Sequence, residues 1–248
     1  MGDKYRSPGP GVLYGIGVGP GDPELLPIKA VRVLGLVAHI FAAASTENDY
    51  SLAVEIVRPH IPPATPVERL DFPMSKERSV LECAWRRNAQ RIAAVLEQGR
   101  SAAFLTLGDP LTYSTYGYIL RHLHSGWPQL AVCTVPGISA YQAAAAATNR
   151  PLVEGEEVLL IVSGVHGGQR LLEPNRLPEN VVFMKAYRNI GNITAALEST
   201  GMAAGSIAVT NCSREDEQIH TDLHALGRQA PNYWTLIIAK RSSHGPHT

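Results

Sequence analysis

Apolar residues along this chain come in two spacings. Short, nearly unbroken apolar runs at 12–18, 39–44, 101–107 and 130–135 read as buried strands. Between them, 28–37, 51–57, 79–98 and 116–123 place their apolar residues at helical intervals. The clearest is 79–98, where Val80, Ala84, Ile92, Val95 and Leu96 share a face and charged residues take the other. Pro27 is acceptable at the start of the helix that follows it, and 59–66 is a Pro-rich connection. Strands alternating with helices predict a parallel sheet with covering helices.

The texture changes after Pro136-Gly137. An alanine-rich helix at 139–148 is followed by strands at 157–163, 180–186, 206–211 and 233–240, with a helix at 193–199. The expected architecture is α/β throughout: two α/β domains, 11–135 and 136–241, and a polar, disordered tail at 242–248.

Composition narrows the function classes. The 248 residues are 45% hydrophobic and 18% charged, as in a globular protein with a real core. Lys plus Arg equals Asp plus Glu at 22 each, so net charge gives no bulk attraction to nucleic acid or an anionic membrane. The three cysteines, Cys83, Cys133 and Cys212, are scattered and odd in number, which points to the reducing cytoplasm rather than a disulfide framework. No run has the length of a membrane span, and the first eleven residues lack the apolar stretch of a signal peptide.

The most informative motif is Gly108-Asp109-Pro110, between an apolar run and a helical one. A turn at the carboxyl end of a strand is where α/β sheets place ligands, although an ordinary type I turn would also carry Asp here. A second turn, Gly15-Ile16-Gly17-Val18-Gly19-Pro20-Gly21, fails the dinucleotide fingerprint. Counting from Gly15 the sixth place is Pro20, and from Gly17 it is Asp22, whose charge would repel a pyrophosphate. Walker, His-Glu-x-x-His and Gly-x-Ser-x-Gly motifs are absent. His220 and His224 would share one helical face, but two histidines without a third ligand make no metal site, and none is expected. With Val135-Pro136-Gly137-Ile138-Ser139 a third Gly/Pro turn stands at a strand end. Main-chain groups at such turns suit a neutral or cationic nucleoside, and Asp109 suits a cation, a ribose or an amino group.

Taken together, Gly15 to Leu26, Gly108-Asp109-Pro110 and Val135-Pro136-Gly137-Ile138-Ser139-Ala140 resemble the tetrapyrrole methylase family, over about 12–240. Tyr113-Ser114-Thr115-Tyr116-Gly117-Tyr118, Val182 to Asn189, Glu215-Asp216-Glu217 before Asp222-Leu223, and Tyr233 to Ile238 resemble its C20-methylating branch. The resemblance implies two α/β domains with the cofactor cleft between them and, commonly, a homodimer. It also implies S-adenosylmethionine as methyl donor, S-adenosylhomocysteine as product, and precorrin-2 or cobalt-factor II as the tetrapyrrole substrate. Carried over by position, Pro20, Gly108, Asp109, Thr112, Ser139, Ala140 and Met184 would contact the donor, with Asn211 as a looser match in its Thr210-Asn211-Cys212-Ser213-Arg214 context.

Two departures stand out. Pro27 replaces a common Thr that would cap the next helix, and Ala44 replaces an aspartate carried by uroporphyrinogen-methylating relatives. No acid or base is therefore carried over. For the substrate, Tyr113 or Tyr116 would orient the macrocycle, unless either is core packing. Lys76, Arg78, Arg86, Arg87, Lys185 and Arg188 could meet its carboxylates, unless they only solvate the surface, and Lys185 and Arg188 are favoured because they follow a strand end. The alternatives are a methyltransferase of this fold acting on another corrinoid position, on protein or on RNA, and a non-catalytic tetrapyrrole carrier. The protein is expected to be cytoplasmic, with no nucleic-acid or membrane partner.

Overall fold

The computed structural model describes residues 11–44, 52–173 and 175–241. The expected tail at 242–248, and the first residue of the helix expected at 51–57, lie outside the described residues. The chain divides into two compact units, the first ending at Ser139 and the second starting at Ala140.

In the first unit β1 (Val12–Gly17), β2 (His39–Ala44), β3 (Val67–Asp71), β4 (Ala102–Thr106) and β5 (Ala131–Val135) alternate with α1 (Ile28–Leu34), α2 (Leu52–Val57), α3 (Arg78–Leu96) and α4 (Tyr116–Gly126). The sheet is wholly parallel in the order β3-β2-β4-β1-β5. Alternate residues of the central strands serve opposite faces. Ile16, Ile40, Ala103 and Leu105 pack under α1 and α2, while Leu13, Phe41, Ala102 and Phe104 pack under α3 and α4. Covering both faces explains the unbroken apolar runs.

Helix α3 buries Ala84, Ala89, Ile92, Val95 and Leu96, but Val80 stands exposed, a turn before the sheet begins. Asn88, also on its buried face, donates from Nδ2 to the Asp71 carbonyl at 2.8 Å and pins the end of β3. Pro27 occupies the N-cap of α1 and offers no side-chain hydrogen bond.

The second unit contains α5 (Ala140–Thr148), β6 (Leu159–Ser163), α6 (Gln169–Leu172), β7 (Asn180–Met184), α7 (Ile190–Ser199), β8 (Ile207–Thr210), β9 (Gln218–His220), α8 (Leu223–Gly227) and β10 (Thr235–Lys240). Its sheet is mixed, in the order β6-β7-β10-β8-β9, with only β6 and β7 parallel. Leu171, Phe183, Ile193, Leu197, Leu226 and Ile237 centre its core. His220 ends β9 and His224 lies in α8, so they do not share a helical face: Asp222 caps α8 between them, accepting from the Ala225 N–H at 2.9 Å. No group of three potential metal ligands exists among the described residues, and no described helix is long and apolar enough to cross a membrane.

Candidate active site

At the carboxyl edge of the first sheet three turns meet through their main chains. Gly19 and Gly108 form an isolated antiparallel bridge: the Gly108 N–H donates to the Gly19 carbonyl at 2.7 Å, and the Gly19 N–H to the Gly108 carbonyl at 3.4 Å. Both glycines have positive φ, +80° and +70°, which a side chain would strain. The turn after β5 closes the group. A Cβ on Gly17 would lie 2.5 Å from the Gly137 nitrogen and 2.6 Å from the Gly108 oxygen, so backbone meets backbone without room for a methyl group.

Asp109 ties these turns together. Its Oδ1 accepts from the Leu111 N–H at 2.9 Å and the Thr112 hydroxyl at 3.2 Å, as in an ordinary Asx turn. Its Oδ2 accepts from the Gly137 N–H at 3.2 Å, in another turn altogether. The motif therefore closes a turn and also links two strand ends. Pro20 and Ser139 are buried beside this junction in sequence, and Asp22 is occupied in capping a short turn through the Glu24 N–H at 2.8 Å. The segments 17–22, 108–115 and 135–140 contain two carboxylates and no Lys, Arg or His.

The two tyrosines after Asp109 part company. Tyr113 has φ of +50° and is 45% exposed, a strained and accessible position. Tyr116, expected as a second substrate contact, is fully buried. Its ring fills the space where Gly15 has no Cβ, and its hydroxyl pairs with Thr134 Oγ1 at 3.1 Å. Burial pushes its phenol above the usual value. Tyr116 is thus a packing residue, the correction following from a helix that starts directly over β1. Ala44, at the end of β2, is buried and its carbonyl accepts from the Phe72 N–H at 2.9 Å, so this position offers no base.

In the second unit the expected residues collect at the ends of β7, β8 and β10. Met184 ends β7, and Lys185 follows with φ of +58°, its amine pulled below the ordinary lysine value by burial. Arg188 is exposed, its guanidinium 5.1 Å from the centre of the Tyr187 ring. Asn211, expected to contact the donor, is also bonded within its own turn. Its Nδ2 donates to Asp216 Oδ2 at 2.7 Å, its Oδ1 accepts from Asn232 Nδ2 at 3.1 Å, and its N–H donates to the Trp234 carbonyl at 3.0 Å. With φ of +51°, it shapes the turn after β8 as glycine would. Ala140 opens α5, and its carbonyl accepts from the buried Cys212 thiol at 3.7 Å. Burial pushes that thiol up to about 12, which makes it inert as a nucleophile.

In the sequence Gly17 and Gly137 figure only as parts of turns, and Thr134 is missed. The repeated Gly/Pro turns signalled the glycines, whereas nothing local signalled a hydroxyl on β5.

Residues 12–226 match the family of tetrapyrrole (corrin/porphyrin) methylases. The chain is 29% identical over 233 residues to the cobalt-precorrin-2 C(20)-methyltransferase of Salmonella typhimurium, covering 93% of this chain and 97% of that one. It is also 29% identical over 244 residues to the precorrin-2 C(20)-methyltransferase of Sinorhizobium sp, covering 93% and 95%. A solved structure of uroporphyrin-III C-methyl transferase from Thermus thermophilus, complexed with S-adenyl homocysteine, shares the fold. That similarity has a TM-score of 0.63 at 23% identity and covers 92% of this chain and 96% of that one.

Proposed function

This chain belongs to the tetrapyrrole methylase family, and from that premise we propose that it methylates C20 of precorrin-2 or its cobalt-containing counterpart, factor II, in cobalamin biosynthesis. The observation that carries the reading is the Asp109 carboxylate joining two main-chain turns, in a group of three turns that holds no basic side chain.

Such a junction fits S-adenosylmethionine in its chemistry. Glycines without side chains leave the main chain approachable, a carboxylate complements a cation or sugar hydroxyls, and the three turns carry no positive group that would repel the sulfonium. When bound, S-adenosylmethionine supplies a methyl group on a sulfonium that departs as a neutral thioether. Pro20, Gly108, Asp109, Thr112, Ser139, Ala140 and Met184 would hold it, and Tyr113, Lys185 and Arg188 would meet the macrocycle. What the chain contributes is alignment and exclusion of water, which favour a step in which charge is dispersed. The proton of C20 is assigned to no side chain, because the resemblance places Ala44 where uroporphyrinogen-methylating relatives carry an aspartate. The same reading makes the protein a cytoplasmic homodimer without nucleic-acid partners, and light scattering checks the oligomeric part.

Incubation with methyl-labelled S-adenosylmethionine and either metal-free precorrin-2 or cobalt factor II tests the proposal. Label should enter the macrocycle, and the faster of the two substrates identifies the aerobic or anaerobic route. Donor binding without transfer, or label found only in RNA or protein, would refute it.

A further inference from the structure

The second sheet gathers the carboxyl ends of β6 and β7 and the amino end of β10 at one edge, because β6 and β7 are parallel and β10 runs against β7. The segments leaving that edge, 163–172, 184–197 and 229–235, contain His166, Arg170, Lys185 and Arg188 but no Asp or Glu. Arg170 is already paired with Glu173 at 2.8 Å. Three acids follow β8, beyond β10 in the strand order: Glu215 is exposed, Asp216 holds the Asn211 amide and Glu217 accepts from the Ser213 N–H at 2.6 Å.

Aromatic rings form a ladder at the same edge. Tyr187 and Tyr233 lie 5.2 Å apart edge to face, and Tyr233 and Trp234 lie 4.9 Å apart at 87°. The ladder is braced by Asn232: its Oδ1 accepts from the Trp234 N–H at 2.9 Å, and its carbonyl accepts from the Thr235 hydroxyl at 2.5 Å. Despite this bracing Tyr233 remains 44% exposed. With Tyr187 and Trp234 half-buried beside it, the ladder offers an aromatic face on which a flat ligand can lie. Arg188 lies over Tyr187, which orients the guanidinium while leaving its N–H edge for a planar oxyanion. No carboxylate among the described residues pairs with Arg188.

We propose that the Tyr187–Tyr233–Trp234 ladder, rimmed by Arg188 and Lys185, receives the flat of the tetrapyrrole and grips its carboxylates. The inference rests on the methyltransferase reading and goes beyond it by making Tyr187 and Tyr233 determinants of substrate specificity. Edge-to-face rings suit an apolar macrocycle, and the segments beside them, which carry basic residues and no acid, suit a polycarboxylate.

Steady-state methylation of precorrin-2 tests it. Arg188→Gln should raise KM about tenfold or more with a much smaller change in kcat, since a charge-assisted contact contributes on the order of 1.4 kcal/mol or more. Arg188→Lys should recover only part of the loss, because an ammonium cannot grip bidentately. Tyr187→Ala should raise KM, and Tyr187→Phe, which keeps the ring, should raise it much less. Calorimetry with S-adenosylhomocysteine should give one Kd for all variants, which also shows that they fold, and Arg176→Gln, paired elsewhere with Glu179, should behave as wild type. A KM for Arg188→Gln within about twofold of wild type, or an S-adenosylhomocysteine affinity that falls in step with KM, overturns the assignment. Failure of the wild-type protein to label either tetrapyrrole overturns the methyltransferase reading, and this inference with it.

Discussion

The sheet edges of the two units are built from opposite materials. The first is a contact of glycine main chains with two carboxylates and no cation across 17–22, 108–115 and 135–140. The second is a contact of aromatic side chains with four basic residues and no acid across 163–172, 184–197 and 229–235. A sulfonium donor is a cation, and a tetrapyrrole bearing acid side chains is a polyanion. On the proposed reading the difference teaches how one chain would sort two reactants by sign of charge, and by main chain against side chain.

Breaking the first edge should have the largest effect. Gly137→Ala forces a methyl group onto the Gly108 carbonyl and the Gly17 backbone, neither of which can yield. We expect loss of about 1–3 kcal/mol of stability, read as a lower Tm, and loss of S-adenosylhomocysteine binding by calorimetry. Asp109→Asn comes next: an amide can keep the Leu111 and Thr112 bonds but turns its NH2 toward the Gly137 N–H. An unsatisfied donor of this kind costs about 1–3 kcal/mol, so S-adenosylhomocysteine binding should weaken roughly tenfold to a hundredfold while the KM for the tetrapyrrole moves little. Tyr116→Phe sharpens the contrast from the other side, removing only the bond to Thr134. About 1 kcal/mol of stability should go, with KM for both reactants unchanged.

The smallest effect separates the units by pH. Buried His39 holds Glu68 through Nε2 at 3.0 Å while its Nδ1 finds no partner among the described residues, and burial pulls its pKa below 6.5 despite the opposing Glu68 bond. The unfolded chain therefore binds the extra proton first, so stability in the first unit should decline as pH falls below about 6.5. In the second unit Glu157 and Glu179 are held below 4.5 mainly by hydrogen bonds from Asn180 and from the Val158 N–H, so their contribution should survive until pH falls below that value. Acid titration by hydrogen exchange should show the first sheet loosening before the second, and His39→Phe should narrow the gap.

Much of this was written in local patterns. Both-sided burial gave β2 and β4 continuous apolar runs that could be read directly. Strand β3 escaped because it is an edge: Val67-Glu68-Arg69-Leu70-Asp71 buries only Leu70 and carries three charges. Strand β9 and helices α6 and α8 are too short for any period to show. At the candidate site Gly108-Asp109-Pro110 was visible as a turn, but the second oxygen of Asp109 reaches a partner 28 residues away. Tyr116 and Tyr113 look alike in sequence, and only the bare face of Gly15 decides which one enters the core. The partnership of Tyr187 with Tyr233 likewise needed the pairing of β7 with β10.

Gly17 and Gly137 meet where no atom can be added, and Gly108 beside them holds a positive φ that would strain a side chain, so directed evolution has little to vary there. Libraries aimed at new acceptors would have to leave that corner untouched. Diversity introduced at Tyr187 and Tyr233, by contrast, changes rings and not backbone, so that is where a methylating catalyst with altered acceptor scope would be sought.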